Sequence, residues 1–277
     1  MIKREISLAH SPDSDDAFMF YALATNKVES PLLTFRHHLN DIETLNREAR
    51  EGVWDVTAIS FAAYPYISSR YDLMPCGGSM GDGYGPIVVS KQRYTPEQLK
   101  GKRIAIPGTM TSAFLTMKLY QPDFVPVVTR FDEIIQAVKD NKVDAGLLIH
   151  EGQLTFGEDG LHRVVDLGRW WMDLYGLPLP LGGNAIRKEL RGPIADEASK
   201  AIRRSVRHAL DHRSEAMTYA LQFARDMDPE LADRFVGMYV NDYTLDYGVK
   251  GREAIVKFLQ LGYEKGLITE EPKVEFS

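Results

Sequence analysis

Cysteine is almost missing from the 277 residues: Cys76 stands alone, so no intrachain disulfide can form, and a reducing compartment is the expectation. No apolar run approaches the roughly 20 residues of a membrane span. The opening segment MIKREISLAHSPDSDD lacks the continuous apolar stretch and small-residue cleavage site of a secretory signal. A cytoplasmic protein with no membrane partner is expected. Basic tracts are missing as well: 33 Lys and Arg against 39 Asp and Glu leave a formal charge of −6. With no block of cations to follow a phosphate backbone, nucleic acid is not an expected partner, and an anionic ligand would have to be held locally.

Several catalytic signatures are absent too. No GxSxG elbow occurs, which removes the usual α/β serine hydrolase. The glycine-rich CGGSMGDGYGP (76–86) has neither the dinucleotide spacing nor a GK[ST] ending, and it leads into a strand rather than a helix. Its glycines are read as turn and close-approach positions beside a site. His208 and His212 lie one helical turn apart, but RRSVRHALDHR is basic and offers no third metal ligand, so a solvated face is expected. His37 and His38 are adjacent in a strand and point to opposite faces. No metal is expected, and Cys76 is read as a buried, inert thiol.

What the chain does contain is alternation. EISLAH, DSDDAFMFYALATNKV, LLTFRHHL, DIETLNREAREG and DVTAIS switch between strand and helix periods, which argues for βαβ units, an α/β class and a largely parallel sheet. In the first helix Ala17, Phe20, Tyr21 and Ala24 form one apolar stripe, with Asp13 or Ser14 as cap and Asp15 and Asp16 favoured by the helix dipole. A second strand and helix series runs from KRIAIP to RWWMDLYG. After LPLPLGGNAI only long helices follow, with Ile202, Val206, Ala209 and Leu210, and then Ile255, Phe258, Leu259 and Tyr263, at helical spacing. Residues 92–181 are therefore expected to form an inserted lobe. Residues 1–91 and 182–277 would form the outer one, with crossings near Pro86–Ser90 and Pro178–Leu181 and a ligand cleft between the lobes.

Three strand ends carry hydroxyls: Ser11 after the first strand, Ser60 after VTAI, and Thr109, Thr111 and Ser112 after IAIPG. Ligands collect at the carboxyl ends of strands in open α/β sheets, and amides at a helix start can hold a carboxylate without a full positive charge. Plain N-capping is the competing role for the threonines. His150 follows AGLLI, expected to be a strand buried on both faces, and so lies at the same edge. Its neutral imidazole could accept a proton. It could equally be a helix-start histidine bonded to local backbone, and spacing leaves both open.

Taken together, SPDSDDAFMFYAL, DIETLN, ISFAAY, GPIVVS, IPGTMTSAFL, AGLLIHEGQLTF, VVDLGRWW, GLPLPLG and YVNDYTLDYG resemble the MqnA/MqnD family of the futalosine route to menaquinone. The likeness is closest to its 1,4-dihydroxy-6-naphthoate synthase branch and runs over nearly the whole chain. It implies a two-lobed fold similar to type 2 periplasmic binding proteins, with two hinge strands and no metal or organic cofactor. It also implies conversion of cyclic dehypoxanthinyl futalosine to 1,4-dihydroxy-6-naphthoate. By the same resemblance His150 is the proton acceptor and Ala58, Ile59, Ser60, Thr111 and Ser112 contact a small carboxylate substrate; a homodimer is left open. The first loop reads SPDSDD where the synthase pattern has SPCPND, and Ala58 stands where a lysine is common. Chorismate dehydratase, the sister activity, and a non-catalytic cytoplasmic binder of small carboxylates are the alternatives.

Overall fold

The computed structural model describes residues 3–224 and 228–277. The short apolar runs become strands β1 (Arg4–His10), β2 (Leu33–Leu39), β3 (Val56–Ser60), β4 (Tyr71–Leu73), β5 (Ser79–Gly81), β6 (Ile87–Ser90), β7 (Arg103–Ile106), β8 (Val125–Val128), β9 (Ala145–Leu148), β10 (His162–Asp166) and β11 (Leu179–Arg187). They pair in two sheets. The first has the order β2-β1-β3-β11-β4, with β5 also pairing with β11; the second has the order β10-β6-β9-β7-β8.

Each sheet is mixed rather than largely parallel. In the first, β1 runs parallel to β2 and β3, but β11 returns antiparallel beside β3, β4 and β5. In the second, β7 is parallel to β8 and β9, while β6 is antiparallel to β9 and β10. The antiparallel members flank the two passages of the chain between sheets, and alternation of strand and helix periods does not register such returns. β6 is a further difference. Its four residues, assigned by sequence to the outer part, are all buried and pair wholly within the second sheet. The chain therefore passes between the sheets within 82–86, and again within 176–178.

The helix Ser14–Ala24 differs from the expected single stripe, because Ala17 through Leu23 are all buried. The helices Pro193–Asp211 and Arg213–Ala220 pack over it, so its second face meets apolar side chains instead of water. In the last helix, Gly248–Glu264, Ile255, Phe258 and Leu259 are fully buried as their spacing predicts, whereas Tyr263 is exposed. His37 and His38 do face opposite ways: His37 meets His10 at 3.1 Å, and His38 stacks on Trp54. Cys76 is buried, its thiol donates to the Ser199 carbonyl, and burial pushes that thiol up to about 12.

Where the chain first leaves the outer sheet, Tyr84 and Gly85 lie against Gly168, at the start of the helix Leu167–Tyr175. A Cβ at Gly168 would overlap the Tyr84 carbonyl, which is backbone and has no rotamer with which to yield. Gly168→Ala is therefore expected to destabilise the protein by about 1–3 kcal/mol, read as an earlier thermal or urea transition. An unchanged midpoint would show that this passage repacks freely.

Candidate active site

Of the residues singled out from the sequence, Ser11, Ala58, Ile59, Ser60, Thr111, Ser112 and His150 line one cleft between the two sheets, whereas Thr109 lies outside it and lines a separate hollow with Ala62, Phe114 and Ile268. The carboxyl ends of β1, β3, β7 and β9 point at it, which is why residues from four separate segments meet. Among the described residues no Lys or Arg lines this cleft. Nor, among the described residues, is any group of three or more His, Cys, Asp or Glu side chains arranged to hold a metal ion.

The hydroxyls are not equivalent. Ser60 is fixed by Asn46, which accepts its N–H at 2.8 Å and donates to its Oγ at 3.1 Å. Thr111 caps the helix Ser112–Tyr120: its Oγ1 accepts the Phe114 N–H and donates to the Gly108 carbonyl. For this hydroxyl the capping role is thus realised, and the same cap brings the helix start to the cleft wall. Ser112 Oγ accepts the N–H of Ala62 from the other side of the cleft, at 3.2 Å. Ser11 turns inward, donating its hydroxyl to Asp13. The Ile59 side chain lies in the apolar core, so it lines the site through its backbone.

His150 follows β9, and its backbone takes the helix-start role that its spacing left open. Its carbonyl accepts the Gln153 N–H and so starts the short helical turn Gly152–Thr155. Its ring lines the cleft, 4.0 Å from the Phe131 ring by centroids, and its Nδ1 lies 3.6 Å from Asp13 Oδ2.

Two features of this site are not assigned to individual residues by the sequence. Asp13, Asp15 and Asp16, expected as cap and first-turn acids, all line the cleft, and the Asp13 side chain makes no cap bond. Burial raises the Asp15 carboxyl well above the ordinary range, with Asp16, Asp13 and Glu151 adding like charge. Burial likewise pushes Asp16 up to about 7, although the Ser11 N–H donated at 2.7 Å opposes it. The second feature is the helix Pro229–Tyr239, which supplies Phe235 and Tyr239. The Tyr239 hydroxyl donates to Gln153 Oε1 at 2.9 Å, joining the outer part to the segment that carries His150. Glu43 makes a similar bridge by accepting the Met110 N–H. Tyr239→Phe is expected to raise KM about two- to tenfold, the worth of one net hydrogen bond, with kcat changed less. Steady-state kinetics measures this, and an unchanged KM would remove the latch.

Among solved structures, the chain superimposes on the alkanesulfonate-binding protein SsuA of Xanthomonas axonopodis pv. citri with a TM-score of 0.75. The match covers 100% of both chains at 14% identity. Two α/β lobes around a cleft of this kind define the class: a type 2 periplasmic-binding-protein-like fold. Residues 6–264 match the menaquinone biosynthesis family. The chain is 40% identical to the 1,4-dihydroxy-6-naphthoate synthase of Thermus thermophilus, over 98% of each chain. It is 39% identical to that of Streptomyces coelicolor, over 95% of this chain and 94% of the relative. A crystal structure from Archaeoglobus fulgidus matches with a TM-score of 0.92 at 48% identity, covering 95% of this chain and 98% of that one. The chain belongs to the menaquinone biosynthesis family.

Proposed function

We propose that the protein is a 1,4-dihydroxy-6-naphthoate synthase acting in the cytoplasm. It converts cyclic dehypoxanthinyl futalosine to 1,4-dihydroxy-6-naphthoate with loss of a three-carbon fragment, and His150 is the general base. The observation that carries the chemistry is His150 itself, an imidazole lining a cleft whose hydroxyls come from both lobes. Full-length likeness to two synthases supports the substrate.

The charge layout supports one orientation of that substrate. Three aspartates crowd the end of the cleft near His150, while Ser60, Ser112 and the start of the helix Ser112–Tyr120, which Thr111 caps, offer neutral donors. A carboxylate avoids the first and is held by the second. The polyhydroxylated part of the molecule then meets the aspartates and His150. Proton transfer to the imidazole opens the ring, the carbon–carbon bond breaks, and aromatisation of the bicyclic product drives the step. Closure of the lobe built on the second sheet, which lies between the passages at 82–86 and 176–178, on the lobe built on the first keeps water from the intermediate. No step in this sequence calls on a cofactor.

The test is to incubate purified protein separately with cyclic dehypoxanthinyl futalosine and with chorismate, and to follow products by chromatography. Naphthoate from the first alone is the expected result. Enolpyruvyl-benzoate from chorismate would reassign the chain to the sister dehydratase, and consumption of neither would leave a binding protein.

A further inference from the structure

Asp13 and His150 come from opposite walls of the cleft. Asp13 stands at the start of the helix Ser14–Ala24 behind β1 of the first sheet, and His150 follows β9 of the second. Their side chains are each only 14% exposed, and Asp13 Oδ2 lies 3.6 Å from Nδ1 of the imidazole. Asp13 is itself anchored: the Ser11 hydroxyl donates to the same Oδ2 at 2.7 Å and accepts the Asp13 N–H at 3.2 Å. On another side of the imidazole, the Phe131 ring packs at 4.0 Å. The ring of His150 is therefore bounded by an aromatic face and a fixed carboxylate.

We propose that Asp13 is the positioning residue of this site. Its carboxylate holds the Nδ1–H tautomer of His150, leaves Nε2 as the proton acceptor, and balances the imidazolium that forms. This rests on the reading of His150 as the base. In the step, the substrate O–H or C–H bond breaks, its proton forms a bond to Nε2, and the electron pair stays on the substrate to open the ring. The proton stays on the imidazole and does not pass on to Asp13. A separation of 3.6 Å is slightly longer than a hydrogen bond, and such pairs tighten when ligand is bound. Because the partners belong to different sheets, closing the cleft assembles the base. An open molecule carries an imidazole without its orienting carboxylate, which couples substrate capture to chemistry. The pair also gives a purpose to the unusual first loop, in which SPDSDD places an acid at position 13 where the synthase pattern has cysteine.

The experiment compares Asp13→Asn, Asp13→Glu and His150→Ala with the parent protein by steady-state kinetics on cyclic dehypoxanthinyl futalosine. It adds nitrogen-15 NMR of histidine-labelled protein, in which His150 is assigned by its loss in His150→Ala. Asparagine keeps the shape but not the charge, so kcat is expected to fall about 10- to 100-fold with KM within about threefold. The His150 resonances should move toward the Nε2–H tautomer, and Asp13→Glu should recover part of both effects. The NMR readout stands even where turnover is too low to measure. Turnover of Asp13→Asn within threefold of the parent, with an unmoved tautomer and an inactive His150→Ala, would overturn the pairing and leave the base in place. Full activity of His150→Ala would overturn base and pairing together.

Discussion

Replacing His150 by alanine is expected to lower kcat by about a hundredfold to ten-thousandfold, the usual contribution of a positioned general base, while substrate affinity changes only a few-fold. The split follows from where the contacts are. Ser60, Thr111, Ser112 and the amides near them line the cleft independently of His150, each held by its own partner: Asn46 for Ser60, Gly108 and Phe114 for Thr111, and Ala62 for Ser112. Losing the imidazole leaves these groups in place but removes the one that takes the proton. The side chain lies at the cleft wall beside Phe131 rather than in an apolar cluster, so the variant should also fold. Initial rates measure the first quantity, and calorimetric titration of the inactive variant with substrate measures the second. A variant that keeps a tenth or more of parental turnover would remove His150 from the chemistry. Loss of binding in parallel with turnover would make it a binding residue instead.

The residues brought together in the cleft were legible for one physical reason. Strands of an α/β layer present their carboxyl ends on one edge, and Ser11, Ser60, Thr111, Ser112 and His150 each follow an apolar run. Each position could therefore be placed from its own neighbourhood. The resemblance placed the first loop at the cleft, but each of its three aspartates, taken from its own neighbourhood, reads as a cap or first-turn acid. An acid in the first turn of a helix is favoured by the dipole whether that turn faces water or a cleft, and nothing in SPDSDD distinguishes the two. Tyr239 opens YVNDYTLDYG, which carries part of the resemblance, but neither it nor Phe235 was legible as a cleft residue. The helix Pro229–Tyr239 has an ordinary apolar pattern, and its end reaches the cleft only because the chain folds back over the first sheet, a placement no local period records. β6 failed in the opposite sense. GPIVVS is short and apolar, which suits a connecting strand as well as a central one, and only its pairing with β9 and β10 decides between them.

The buried acids also set a stability cost, and Asp16→Asn should expose it. Asp16 titrates at about 7 in the folded protein against an ordinary 3.8, because burial disfavours its charge. Above pH 7 the group is ionised in both states, so the folded state carries the whole penalty. Between 7 and 3.8 the folded state holds a proton that the unfolded state has released, and the penalty shrinks as pH falls. Below 3.8 both states are neutral and it vanishes. At about 1.4 kcal/mol per pH unit, with a discount for solvent in the cleft, Asp16→Asn should gain roughly 2–4 kcal/mol at pH 8 and nothing near pH 3.5. The amide oxygen can still accept the Ser11 N–H, so the helix start keeps its bond, and removing one charge also relieves Asp15. His10 and His37, held down at about 3 and about 4, work in the other direction. Burial is the largest cause for each, so acid draws protons to the unfolded state first and lowers stability below pH 6.5. That loss is common to parent and variant and cancels in their difference. Urea unfolding of both proteins at pH 8, 6 and 4 measures the gap, which must narrow with acid. A gap independent of pH would assign the effect to packing, and a variant less stable at pH 8 would mean that Asp16 is ionised and well solvated. Should the gain appear together with slower turnover, the aspartates are retained at the expense of stability because the substrate needs them.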